Sequence, residues 1–231
     1  MNLAVISDVH GNLDALKAVF EDMEKRNIDS VISLGDLVGY GPSPNGVVEF
    51  IRNKKVLNIV GNYDSAVIYD DFKYIRHNEI NEFFVPWTRK ELKEENINYL
   101  KSLPDNIELK IKNKKLVFVH GSTRSINEYL KENSHEAKDT MKEFDGDILF
   151  CGHTHIPYKK EYDEKILINV GSVGKSKMGT PECSYVIVNF LQDKVSFDFV
   201  KVKYDYEKVC HMMEKKEFPH KSINTIRTGI E

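Results

Sequence analysis

Five apolar runs in this chain stop at the same kind of boundary, a glycine close to an Asp, Asn or His. That recurrence limits the fold more than any other feature. Leu3 to Ile6 ends in Ser7-Asp8-Val9-His10-Gly11, and the run Val31, Ile32, Leu34 ends in Gly35-Asp36. Val56 to Val60 ends in Gly61-Asn62-Tyr63-Asp64, Leu116 to Val119 in His120-Gly121, and Ile148 to Cys151 in Gly152-His153-Thr154-His155. Short apolar runs bounded by turn residues read as buried strands. Between the first two, Leu13, Leu16, Val19, Phe20 and Met23 recur at helical spacing, and Val47, Val48, Phe50 and Ile51 predict another helix. Strands alternating with helices predict an α/β fold with a partly parallel sheet. Ligands of such sheets gather outside the carboxyl ends of the strands.

Further along, the region from about Asp70 to Ser102 reads as helical, with Leu92, Ile97 and Leu100 as apolar marks, and Leu103-Pro104 ends it. Ile107 to Ile111 and Leu116 to Val119 read as strands joined by the turn Lys112-Asn113-Lys114-Lys115. A helix is expected around Glu136 to Phe144. Strands are expected at Ile166 to Val170, Tyr185 to Phe190 and Val195 to Val202, and one or two helices after Asp205. No internal repeat, low-complexity linker or break in composition interrupts the pattern, so residues 1–231 read as a single domain. Two sheets forming a sandwich covered by helices is the expected architecture.

Asp8, His10, Asp36, Asn62, His120, His153 and His155 each lie just after a predicted strand, where a parallel sheet can collect distant residues at one edge. Asp8 and His10 are two apart, as are His153 and His155, so in extended backbone each pair would face one side. Carboxylate and amide oxygens mixed with imidazole nitrogens suit divalent first-row ions such as Mn, Fe, Ni or Zn. An Asp between two ions can bridge them, and two ions activate a water and clamp the oxygens of an in-line displacement. A phosphate ester is the natural substrate, because the cations offset charge developing on its oxygens. Each motif alone has a plainer account: Ser7, Asp8, Asn12 or Asp14 as a helix cap, Gly35-Asp36 as an ordinary turn. Five motifs in order, all at strand ends, favour the metal site.

At these residues the sequence resembles the calcineurin-like metallophosphoesterase superfamily, from Asp8-Val9-His10 through Gly152-His153-Thr154-His155. Gly39-Tyr40-Gly41-Pro42, Trp87-Thr88-Arg89, Leu103-Pro104 and Asn169-Val170-Gly171-Ser172-Val173-Gly174 resemble its small bacterial and archaeal phosphodiesterase branch. The resemblance implies a four-layer αββα sandwich of two mixed sheets. It implies one metal on Asp8, His10, Asp36 and His155, and a second on Asp36, Asn62, His120 and His153, with a water between the metals as nucleophile. It makes Asp36, Asn62, Tyr63, Asp64 and His120 the catalytic set, with manganese the ion expected to support activity. The family usually has a His where Tyr63 stands, paired with the acid at Asp64, to help the leaving oxygen depart. Tyr, with a pKa near 10, is a poor acid at neutral pH. His77 is the nearest candidate to take over that role, though a solvated helix histidine is the plainer account. Among weaker features, the Gly171–Gly174 loop could turn its amides to phosphate, Arg124 could reach a phosphate, and Tyr40 could stack on a base or pack its loop.

The formal net charge of −3 counts against a polynucleotide partner, which usually calls for a basic excess. The expected partner is a small phosphorylated, nucleotide-like substrate. No apolar stretch approaches bilayer length, Leu3 to Ile6 is too short for a secretory core, and three scattered cysteines suit a reducing compartment. Cytoplasm is the expected location, and oligomeric state is left open. Two other functions compete: a catalytically weak binding scaffold, as in the retromer subunit of this fold, and a nuclease. All seven ligand positions are present, which favours the enzyme.

Overall fold

The computed structural model describes residues 1–191 and 194–231. Its first sheet runs in the order β10-β9-β1-β2-β3, from β1 (Asn2–Ile6), β2 (Ser30–Ser33), β3 (Leu57–Asn58), β9 (Cys183–Leu191) and β10 (Lys194–Val202). The second runs β4-β5-β6-β8-β7, from β4 (Asn106–Ile111), β5 (Lys114–Val119), β6 (Ile148–Cys151), β7 (Tyr158–Tyr162) and β8 (Lys165–Asn169). Both are mixed. β1, β2 and β3 are parallel, as are β5, β6 and β8, and antiparallel strands complete each sheet. The parallel strands therefore bring the ends of β1, β2, β3, β5 and β6 to one edge of the sandwich.

Period-two alternation builds the layers. Leu3 and Val5 of β1 join Phe118, Phe150, Ile168 and Val186 in the core between the sheets, where the rings of Phe118 and Phe150 stack at 4.8 Å. Ala4 and Ile6 point the other way, into a core made with Leu16, Val19, Val47 and Ile51 of helices α1 (Leu13–Met23) and α2 (Pro44–Asn53). On the far side, Val117, Val119 and Leu149 pack against Ala137 and Met141 of α6 (His135–Glu143). The result is the expected helix–sheet–sheet–helix stack. A fourth apolar cluster joins α4 (Glu79–Glu91) to α7 (Tyr206–Lys215) and α8 (His220–Thr228) through Phe84, Met213, Phe218 and Ile226. The three cysteines are buried and unpaired. Among the described residues no helix is long and apolar enough to cross a membrane.

Several elements differ from expectation. Asn62–Tyr69 forms a helix, α3, so the Gly61-Asn62-Tyr63-Asp64 motif opens a helix rather than a loop. Six of its eight residues are buried, which removes the amphipathic stripe by which a helix is recognised. The region expected to be helical from Asp70 to Ser102 divides into α4 and α5 (Glu94–Lys101), and residues 70–78 are not helical. β3 covers two residues, not five. β7 gave no apolar signal because it is an edge strand carrying Lys159, Lys160 and Glu161.

The strand ends are held together by backbone. Gly174 N–H donates to Asp8 O (2.9 Å) and Val173 N–H to Ser7 O (2.9 Å), which joins the loop after β8 to the loop after β1. A Cβ on Gly174 would stand 1.8 Å from Val9 O, which is fixed backbone. Gly174→Ala should therefore destabilise the protein by about 1–3 kcal/mol as an overpacking substitution. That corresponds to roughly 2–4 °C of melting temperature per kcal/mol in a chain of this size. An unchanged thermal melt would show that this loop is free to retreat.

Candidate metal centre

At that edge the backbone leaves the ordinary regions of conformational space. Asp8, His10, Asp36, His153 and His155 all have φ between +48° and +63°, in the left-handed region that non-glycine residues rarely occupy. The expectation that Asp8–His10 and His153–His155 lie in extended backbone is therefore wrong. β1 ends at Ile6 and β6 at Cys151, and both strands give way to tight turns. Asp8 and His10 still converge, but His153 and His155 diverge, each to a different cluster. Such strain persists where surrounding bonds enforce it. Here Asp8 N–H donates to Gly35 O (3.1 Å), His10 N–H to Asp36 O (2.8 Å), Gly11 N–H to Leu37 O (2.8 Å) and Gly152 N–H to His120 O (2.9 Å).

The turns create two buried groups. Asp8, His10 and His155 form one; Asp36, His120 and His153 form the other. In the first, His155 Nε2 is 3.1 Å from Asp8 Oδ1 and 3.2 Å from His10 Nε2. In the second, His120 Nε2 is 3.4 Å from Asp36 Oδ2 and 2.8 Å from Asn62 Oδ1. Asp36 Oδ2 also lies 3.6 Å from His10 Nε2, so one carboxylate oxygen faces both groups. Its other oxygen accepts the Tyr63 N–H at 2.8 Å, near the start of α3.

The outer nitrogen of each imidazole is spoken for by a carbonyl. His10 Nδ1 donates to Val38 O (3.2 Å), His120 Nδ1 to Leu34 O (2.8 Å), His155 Nδ1 to Lys175 O (2.5 Å) and His153 Nε2 to Asn127 O (3.2 Å). A carbonyl can only accept, so each of these nitrogens carries a proton, and in a neutral ring the opposite nitrogen then presents its lone pair. Asn62 is oriented too: its amide Nδ2 donates to Tyr74 O (3.2 Å), which turns Oδ1 toward His120.

This donor set fits divalent cations. The Nε2 lone pairs of His10 and His155 confront each other, an arrangement that a shared cation relieves. Asp8 Oδ1 is buried with no hydrogen-bond partner, although Oδ2 accepts the His153 N–H at 3.0 Å. Burial pulls the His10 and His153 rings down to about 3, which keeps them neutral and able to ligate. Burial works against the charge of Asp8 and Asp36, but the facing imidazoles, His155 for Asp8 and His120 for Asp36, hold both carboxyls below their ordinary range. At His120 burial acts downward, and Asp36 and Asp8 outweigh it, raising the ring to about 9, so a cation there takes the place of the Nε2 proton between the same carboxylates.

The remaining candidates have more structural positions. Tyr63 lies edge-on to His10, with ring centroids 5.3 Å apart. Its hydroxyl donates to Asn81 Oδ1 (2.7 Å) and meets the Tyr40 hydroxyl. Burial, then Tyr40, pushes its pKa well above 10. Asp64 makes no pair with that hydroxyl; it accepts Gly61 N–H and Val38 N–H, both at 3.0 Å, and burial and then Asp36 raise it to about 7. His77 is exposed in the segment before α4 rather than within a helix, stacked on Phe72 and paired with Glu82 at 2.9 Å. The Ser172 hydroxyl donates to Asp8 O (2.9 Å), and the amides of Ser172, Val173 and Gly174 are bonded within the protein, so that loop braces the site and does not turn those amides to a ligand. Arg124 is engaged by Glu128 (2.6 Å). Tyr40 packs against His10 and Phe84, and Asn81.

The two groups open on a cleft of about 1010 Å³ lined by Asp36, Asn62, His153 and His155, and also by residues that sequence reasoning did not single out, Tyr129, Lys175, Lys177 and Glu231. The Tyr129 ring lies tilted against His153, with centroids 4.0 Å apart. A lone aromatic or Lys-Ser-Lys in a loop carries no spacing signal that could have marked these residues.

Comparison with known proteins places this architecture. Residues 1–193 match the calcineurin-like phosphoesterase superfamily domain. The chain is 37% identical to the uncharacterized protein MJ0912 of Methanocaldococcus jannaschii, over 94% of this chain and 93% of that protein. It is 26% identical to phosphodiesterase YfcE of Escherichia coli K12, over 78% and 84% respectively. The crystal structure of a metallophosphoesterase from Sphaerobacter thermophilus superposes with a TM-score of 0.83 at 30% identity, covering 100% of this chain and 99% of that one.

If Asp36 joins the two groups, its charge should matter to both. Metal-free protein titrated with manganese and analysed for bound metal should take up to two ions per chain. Asp36→Asn should weaken both uptake steps, whereas His155→Ala should chiefly remove one. Two variants that retain wild-type stoichiometry and affinity would overturn this ligand grouping.

Proposed function

This chain belongs to the calcineurin-like phosphoesterase superfamily, and from that premise we propose that it hydrolyses phosphodiester or phosphomonoester bonds of a small, nucleotide-like substrate. The observation that best supports the reading is the position of Asp36 Oδ2, 3.6 Å from His10 and 3.4 Å from His120, between two buried groups of metal-ligating side chains. We assign one divalent ion to Asp8, His10, Asp36 and His155 and the other to Asp36, Asn62, His120 and His153, with manganese as the ion for activity. Such ions supply an activated water at neutral pH and offset the charge on the phosphoryl oxygens.

The protein's own part is orientation. Carbonyls of Leu34, Val38, Lys175 and Asn127 fix the four rings, and Tyr74 O fixes the Asn62 amide. Second partners of this kind typically matter roughly 10–100-fold to metal affinity or activity. The cleft has the volume of a small-molecule site, and the acidic balance counts against a polynucleotide. The likeness to a relative named as a phosphodiesterase supports diesters as the first substrates to test.

Tyr63 sets the leaving-group preference in this reading. Its hydroxyl is committed to Asn81 and Tyr40 and holds its proton more tightly than free tyrosine does. Asp64 is engaged by backbone amides, and His77 does not line the cleft. General acid catalysis is worth about 10²–10⁴-fold where a leaving group needs it. Aryl esters need little such help and alkyl esters most of it. With manganese, bis-p-nitrophenyl phosphate should be hydrolysed readily and alkyl esters weakly. Tyr63→His should raise alkyl-ester kcat/KM more than aryl-ester kcat/KM, and Tyr63→Phe should change the aryl rate modestly. No hydrolysis of any ester in the series by manganese-loaded protein would favour the binding-scaffold alternative. Rates independent of leaving group, with no gain from Tyr63→His, would show that proton donation is not limiting.

A further inference from the structure

The cleft contains a charged device that the metal groups do not use. Lys175 has a side chain only 5% exposed, and its Nζ donates to Glu231 Oε1 at 2.6 Å. Lys177 Nζ lies 2.7 Å from the other oxygen, Glu231 Oε2. One carboxylate is thus clamped by two ammonium groups. The Lys175 ammonium sits 4.2 Å from the centroid of the Tyr40 ring, and that ring packs edge-on against His10 at 5.1 Å. All three charged residues line the same cleft as Asp36, Asn62 and His153.

Burying an ammonium is costly and is sustained only by a partner. Among the described residues neither lysine has a second carboxylate within 4.0 Å, so in this clamp two ammonium groups share one carboxylate. The partners differ in freedom. Lys175 is fixed by burial, and its own carbonyl holds His155. Glu231 is 46% exposed, so water can reach its carboxylate. The backbone just before it is tied down, with Gly179 N–H donating to Gly229 O at 2.9 Å. A carboxylate in such a clamp occupies the position that an external oxyanion would take.

We propose that Lys175 and Lys177 form a subsite for a second anionic group of the substrate, a phosphate or carboxylate separate from the scissile ester, and that Glu231 is the internal counter-ion this group displaces. The inference rests on the phosphoesterase reading and narrows it, to esters that carry a further negative charge beyond the reacting phosphorus. Lysine suits this role because its rotatable ammonium can donate to oxyanions of either kind.

The test compares two substrates with one leaving group, p-nitrophenyl phenyl phosphate and the same diester bearing a phosphonomethyl group on the phenyl ring. With manganese-loaded wild type the charged ester should have the lower KM. Lys177→Met should raise the KM of the charged ester about tenfold relative to that of the neutral one, the scale of one charge-assisted hydrogen bond. Glu231→Gln removes the competing carboxylate and should lower it several-fold by the same ratio. A merely structural clasp predicts that each variant moves both esters equally, and equal shifts or none would overturn the subsite while leaving the phosphoesterase reading intact. If thermal melts show that Lys177→Met does not fold, Lys177→Arg should keep the preference for the charged ester, and Glu231→Gln alone must still strengthen it; failure to do so overturns the proposal. Wild type inert to both esters and to p-nitrophenyl phosphate would overturn the phosphoesterase reading and the subsite with it.

Discussion

The carboxylate of Asp36 is the hinge of this molecule's chemistry. One oxygen accepts the Tyr63 N–H and so joins the loop after β2 to the start of α3, where backbone donors lack helical partners and favour negative charge. The other oxygen looks into the site between His10 and His120. The approach depends on Gly61, because a Cβ there would lie 2.1 Å from Asp36 N and 2.2 Å from Asp36 Oδ1. A helix start with its glycine cap and a carboxylate 25 positions earlier in the sequence thus act as one unit.

Around this unit the site is built from backbone held in an unfavourable conformation. Five left-handed non-glycine residues within one cluster of loops would not persist in isolated turns, since each costs on the order of 1 kcal/mol or more. They persist because the loops bond to each other as well as to themselves: the segment after β1 to those after β2 and β8, and that after β5 to that after β6. The two sheets supply the rigid base, with the aromatic and aliphatic core between them closing the distance between strands far apart in sequence. Rigidity serves a cation site directly, because ligands already in position lose little freedom on binding.

The side of the cleft near α3 and α4 has a different character. Tyr40, Tyr63 and Asn81 form a hydrogen-bonded group edge-on to His10, and Lys175 lies over the Tyr40 ring. Tyr63 is part of a packed aromatic shelf there. Asp64 is raised by burial and by Asp36 beside it, while the Gly61 and Val38 amides that it accepts act the other way.

Much of this was legible in the sequence because it was local. Apolar runs of strand length, glycine at their ends and ligand-type residues immediately after them identified the strands β1, β2, β5 and β6 and placed the seven side chains at one edge. What escaped was decided by burial and by partners distant in the chain. α3 is enclosed almost throughout and so has no amphipathic stripe; β7 is a charged edge strand with no apolar alternation. Local spacing suggested that His153 and His155 share a face, but left-handed turns send them to different groups. Lys175, Lys177 and Glu231 carry no signal in a one-dimensional pattern, since 54 positions separate Lys177 from its partner. The sequence by itself determined which atoms are available to bind a cation, because side-chain chemistry is a property of single residues. Only the tertiary structure decided which of them meet, which nitrogen of each ring faces inward and which charges share the cleft, because those depend on contacts made between loops that the two sheets bring together.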